Sequence, residues 1–116
     1  MHNKIVEILE ELGIDIGFME YSGNSDEYIV FNIFNEKDTG YSDDTNTYET
    51  YNIQINYWFK NLDNISKYKK IKEKMKSNGF FFDSAEDLKD GKYFGKNMDF
   101  IYTLSIYKRG NSKWIK

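Results

Sequence analysis

The stretch Tyr48 to Lys60 constrains this chain more than any other. Tyr51, Ile53, Ile55, Tyr57 and Phe59 alternate without a break with Thr50, Asn52, Gln54, Asn56 and Trp58. A period of two over that length fits a strand with one buried and one polar face, and no helix. A second run, Tyr28 to Phe34, sets Ile29, Phe31 and Ile33 against Tyr28, Val30, Asn32 and Phe34. Neither face is fully polar, which predicts a central strand or one covered on both sides. The polar stretch 35–47 between the two runs reads as a loop joining a long hairpin. Any fold for this chain must therefore be built around a sheet.

The flanking segments supply the rest. Ile5, Val6, Ile8, Leu9 and Leu12 fall at helical spacing and predict a helix over 3–12, capped by Asn3 and closed by Gly13. Residues 14–19 read as a short strand. Ile65, Tyr68, Ile71, Lys72 and Met75 form the inner stripe of a second helix over 64–77, with Asn61 or Asp63 as cap and Gly79 as stop. Phe80 to Phe82 open a fourth strand, 83–96 read as a loop or tight hairpin, and Phe100 to Tyr107 alternate as a last strand. The expected fold is α+β: a two-layer domain with a mainly antiparallel sheet of four to five strands and two helices on one face.

At 116 residues the chain fits a single domain. The 21 aromatic residues, nine Phe, ten Tyr and two Trp, predict a ring-rich core with tyrosine hydroxyls at its rim. With no cysteine there are no disulfides and no thiolate chemistry, and the absence of proline suits a compact body of helices and hairpins and argues against proline-rich linkers. The first residues carry acid and no long apolar run, unlike a secretory leader, and no run reaches the roughly 20 apolar residues of a membrane span. These features together predict a protein made in a cytoplasm.

Charge divides along the chain. Residues 1–50 hold 12 acids against two lysines, a net of −10, while residues 51–116 hold 14 basic residues against seven acids, a net of +7. Opposite charge on two surfaces would let copies attract head to tail. The lysines of 67–76 spread around the second helix, as on a solvated face.

Chemistry is sparse. The single histidine is the second residue, and no glycine-rich phosphate loop opens a helix. Asp38, Asp43, Asp44 and Glu49 lack the spacing of a calcium loop. Asp83, Glu86, Asp87 and Asp90 offer carboxylate pairs of a kind common on surfaces. No catalytic residue, cofactor or metal is expected, and a binding or structural role is favoured over an enzyme.

The order of several pieces carries a resemblance. Phe34-Asn35-Glu36 leads into Asp43-Asp44, followed by the long strand Tyr51 to Trp58. A lysine-rich helix closes on Gly79-Phe80, then come Asp87-Leu88 and Tyr93, Lys96, Met98, Phe100 and Tyr102. Over about three quarters of the chain this succession resembles the tail-terminator, or tail-completion, proteins of long-tailed phages and prophages of Gram-positive bacteria. It departs from them at Gly95-Lys96-Asn97, where a His or Arg near the lysine would be expected. The resemblance implies a structural virion protein that forms a ring, usually hexameric. The ring would cap the tail-tube protein, end polymerisation and offer a surface to the head–tail connector, while DNA passes without sequence-specific binding. Contacts are expected from the 35–49 and 84–97 loops and the tail, through Glu36, Asp38, Asp43, Asp44, Glu49, Lys92, Lys96 and Arg109. The alternative is a small cytoplasmic binding protein or phage-encoded inhibitor acting through its acidic first half.

Overall fold

A computed structural model describes residues 1–42 and 46–107. Helix α1 (His2–Leu9) runs into a 3-10 turn (Glu10–Leu12), then strands β1 (Asp15–Phe18), β2 (Glu27–Ser42) and β3 (Asn46–Phe59). A 3-10 segment (Leu62–Lys67) leads into α2 (Tyr68–Ser77), and β4 (Phe81–Asp90) and β5 (Tyr93–Tyr107) follow. Among the described residues the strands form one five-stranded sheet in the order β1-β2-β3-β5-β4. Only β1 and β2 pair in parallel among the described residues. The α+β, mainly antiparallel architecture is the one the periodicities imply.

One face of the sheet holds the core. Ile29 and Phe31 of β2, Ile53, Ile55, Tyr57 and Phe59 of β3, and Met98 and Phe100 of β5 are buried there. They meet Ile5, Ile8 and Leu9 of α1 and Ile71 and Met75 of α2. The apolar stripes predicted for both helices close the two layers, except that Ile65, expected in the second stripe, is exposed in the 3-10 segment before α2. The Asn61 side chain caps the second helical segment by accepting from the Asp63 N–H at 2.9 Å. Gly13 and Gly79 end their helices at positive φ, as their positions suggested.

Residues 35–42, expected within a loop, are strand, while 83–96, expected as a loop or tight hairpin, are a tight hairpin. Residues 35–42 extend β2, and 83–90 form most of β4. The side chains of 35–38 and most of those of 83–90 are exposed, so burial does not hold these segments in place. Their backbones are paired instead: Glu36 to Asp38 with Tyr51 to Glu49, and Ser84 to Asp90 with Asp99 to Tyr93. A ladder needs backbone partners rather than apolar side chains, and a chain without proline offers it no interruption. The second connection shrinks to a turn at Gly91 and Lys92. Bulges at Phe34 and Asp83 shift the register in each strand.

The β1–β2 connection is unusually short for a parallel pair. Only eight residues separate the strands, with no crossover helix. The chain reverses at Met19, whose φ is +69°, and its N–H donates to the Phe31 carbonyl at 2.9 Å. Gly17 makes room for this return, because a Cβ there would lie 2.1 Å from the Glu20 carbonyl oxygen. The returning segment lays Tyr21 on Tyr28, rings stacked at 4.1 Å, with the Tyr21 hydroxyl donating to Asp15 at 2.6 Å.

Candidate interaction surfaces

The strands outrun the helices. Lys4 of α1 reaches the Tyr102 ring, 5.5 Å from its centroid, and Phe80 packs on the same ring at 4.6 Å. Beyond that ring, residues 34–38 of β2 and 103–105 of β5 are exposed. β2, β3 and β5 thus continue as a three-stranded arm without a helix layer. The arm accounts for the shape: the radius of gyration is 16.7 Å and the long axis 55 Å, against about 13 Å for the radius of a compact domain of this size.

Among the described residues, neither edge of the arm has a neighbouring strand. β1 covers β2 only from Tyr28 to Phe31, and β4 covers β5 only as far as Ile101. The backbone groups of β2 beyond Phe31 and of β5 beyond Ile101 therefore face outward along those edges. Such edges are templates for another strand.

The arm gathers three of the predicted residues. Glu36 pairs in register with Tyr51, and Asp38 with Glu49. With Lys37 and Thr50 they line a shallow hollow of about 210 Å³. The Tyr51 hydroxyl donates to Glu49 at 2.8 Å. That bond to a carboxylate, with some burial and the charges of Glu49, Glu36 and Asp38, pushes the phenol up to about 12. Asp43, Asp44 and Arg109 lie outside the described residues.

Lys92 and Lys96 are not part of this group. Lys92 is exposed in the β4–β5 turn, at the opposite end of β5 from the arm. Lys96 is held within the chain. Its ammonium meets Asp87 at 2.9 Å and lies 4.4 Å from the centre of the Tyr68 ring, with 16% of its side chain exposed.

Sequence reasoning missed the sheet face turned away from the helices. Trp58 lies against Gly95 there, and the rows Asn56–Asn97 and Gln54–Asp99 sit side by side across β3 and β5. Asn97 is 8% exposed. The side-chain carbonyl oxygens of Asn56 and Asn97 are buried without a donor. An unmet buried acceptor costs about 1–3 kcal/mol. The signal was the polar half of the β3 alternation, Asn52, Gln54 and Asn56, read only as a solvent face.

Among the described residues no group of three His, Asp or Glu is placed to hold a metal ion, and no helix is long and apolar enough to cross a membrane. The hollows are lined mostly by charged and polar residues. The described surfaces are an acidic arm, an amide-lined sheet face and a lysine-covered helix. The chain matches no known family model and no curated protein sequence.

Proposed function

We propose that this chain is a structural virion protein that assembles as a ring on the end of a phage, or phage-like, tail tube. The ring stops tube polymerisation and provides the joining surface for the head connector. The observation that carries this reading is the arm. A small domain whose core ends near Tyr102 extends three strands beyond it, and among the described residues neither edge of the arm is paired. Exposed strand edges promote pairing with other chains, and a soluble monomer has reason to cover them. An assembly subunit uses them. The order of motifs that resembles tail terminators gives the arm its place, against neighbouring subunits and the tube.

The charge on the arm suits that location. Glu36, Asp38 and Glu49 present carboxylates, and DNA carries one negative charge per about 1.7 Å of axis. A passage bordered by acids lets DNA slide without sticking. Hexamers are the expected closed form, with the tail-tube protein and the connector as partners and the virion tail as the location.

Light scattering on the purified chain, alone and mixed with tail-tube protein, tests the proposal. A ring-sized mass in either sample, and shorter tubes when the chain is added during tube polymerisation, is the expected result. A monomer that leaves tube growth unchanged overturns it.

A further inference from the structure

We infer that neighbouring copies dock through two surfaces on opposite sides of the sheet: the lysine face of α2 on one copy and the uncovered sheet face of the next. The inference rests on the ring reading above and names its interface.

The first surface is cationic and unused within the chain. Lys72 of α2 lies over the Phe82 ring at 4.1 Å, and Lys74 is paired with Glu11. Lys69, Lys70 and Lys76 are exposed, and their ammonium groups have no partner among the described residues. Lys69 and Lys76 are seven residues apart and share a stripe, with Lys70 beside it. Glu73 lies within this group and is outnumbered three to one.

The second surface is its complement. From Val30 across Asn56 and Asn97 to Glu86, the uncovered face carries no lysine or arginine. Cations border it at its ends, where Lys60 pairs with Asp26 at 3.3 Å, Lys92 sits in the β4–β5 turn and Lys37 lies on the arm. Asp99 and Glu86 supply negative charge, and Asp83 stands at the bulge of the edge strand. Asn97, more than nine-tenths buried, keeps a carbonyl oxygen without a donor, and Asn56 opposite it does the same. Amide χ2 torsions are soft, so a small rotation turns these acceptors toward an arriving donor. The surface therefore needs N–H donors and positive charge, which a lysine-bearing helix provides.

One molecule cannot join these surfaces within itself, because α2 packs on the core side of the sheet. A second copy can. Such a contact uses two different patches, so it is head to tail, and it closes into a ring when the rotation per subunit divides a full turn.

The test uses the full chain labelled with 14N and 15N, mixed one to one and assembled alone or on tail-tube protein. A zero-length carbodiimide joins carboxylates to amines, and mass spectrometry identifies mixed-isotope links. Links from Lys69, Lys70 or Lys76 to Asp83, Glu86 or Asp99 are expected. An assembled species whose mixed-isotope links avoid these residues overturns the inference and leaves the ring reading intact. Assembly through these links without any effect on tube length has the opposite meaning. A failure to assemble under any condition overturns both.

Charge reversal gives a second readout. Lys69→Glu/Lys70→Glu/Lys76→Glu and Asp83→Lys/Glu86→Lys change exposed side chains only, and circular dichroism checks that each variant is folded. Each variant alone should self-associate at least about tenfold more weakly than the parent chain, since like charges then meet across the contact. An equimolar mixture should reassemble with the two variants alternating. Parent-like assembly of either variant alone overturns the inference.

Discussion

The Tyr57 hydroxyl, carried by a side chain buried in the core, donates to the Glu27 carboxylate at 2.5 Å. Lys67 approaches the same carboxylate at 3.0 Å, so the 3-10 segment before α2 is tied to the first residue of β2. Burial first, and then the bond to Glu27, raise the Tyr57 phenol well above its ordinary value. The folded chain therefore keeps this proton at pH values where the unfolded chain, with a phenol near 10, has released it. Stability should be unaffected by this group below about pH 10 and should fall as pH rises beyond it. Tyr57→Phe should cost about 1 kcal/mol at neutral pH and flatten the alkaline decline. Urea midpoints measured across the alkaline range check both effects, and an equally steep decline in the variant would refute the assignment.

Trp58 fixes the residue opposite it. A Cβ at position 95 would come within 2.7 Å of the indole ring, so the β5 backbone can lie beneath the tryptophan only as glycine. Gly95→Ala should destabilise the fold by about 1–3 kcal/mol through overpacking and should shift the tryptophan fluorescence. Adding Trp58→Ala should make the second change far less costly, because the clash disappears with the ring. Additive losses in the double mutant would show that the two residues do not interact.

These contacts mark the limit of what the sequence conveyed. The core strands were legible because Ile53, Ile55, Tyr57 and Phe59 repeat with a period of two, and the helix stripes because Ile5, Ile8, Leu9, Ile71 and Met75 repeat with the helical period. Residues 35–42 were not, and 83–90 were legible only as part of a loop or tight hairpin, because what makes them strands is backbone pairing with the facing strand of the same hairpin. Polar side chains carry no trace of that pairing. The same limit applied to the sites. Glu36, Asp38 and Glu49 proved to be neighbours because the hairpin continues through them. Lys96 and Lys92 looked like parts of one projecting loop, yet the tight turn at Gly91 sends one into a seam and leaves the other at the tip.

On the arm, the Tyr51–Glu49 bond should be visible in the titration of a single phenol. Glu49→Gln removes the charge that disfavours the phenolate and weakens the acceptor, so the Tyr51 phenol should come down from about 12 toward its ordinary value near 10. Following the 13Cζ signals of labelled tyrosines through an alkaline titration separates Tyr51 from the others. A Tyr51 titration that is unchanged in the variant would contradict the bond.

Lys96 stands where the chain departs from the pattern of tail terminators, and its surroundings predict a stabilising role. Its ammonium lies over Tyr68, which joins the helical segment to β5, while its charge partner Asp87 is 75% exposed. An ion pair open to water on one side contributes little, about 0–1 kcal/mol. Contact between the side chain and the ring should contribute more, because it is shielded from solvent. Lys96→Ala should therefore destabilise the domain by about 1–2 kcal/mol, and Lys96→Met should recover a large part of that loss by restoring the stem. Asp87→Asn should cost less than about 0.5 kcal/mol. Denaturant midpoints for the three variants rank these effects. If Asp87→Asn costs as much as Lys96→Ala, the ion pair rather than the packing holds the seam. If none of the three changes stability while assembly on the tube weakens, Lys96 acts at an interface and not within the fold.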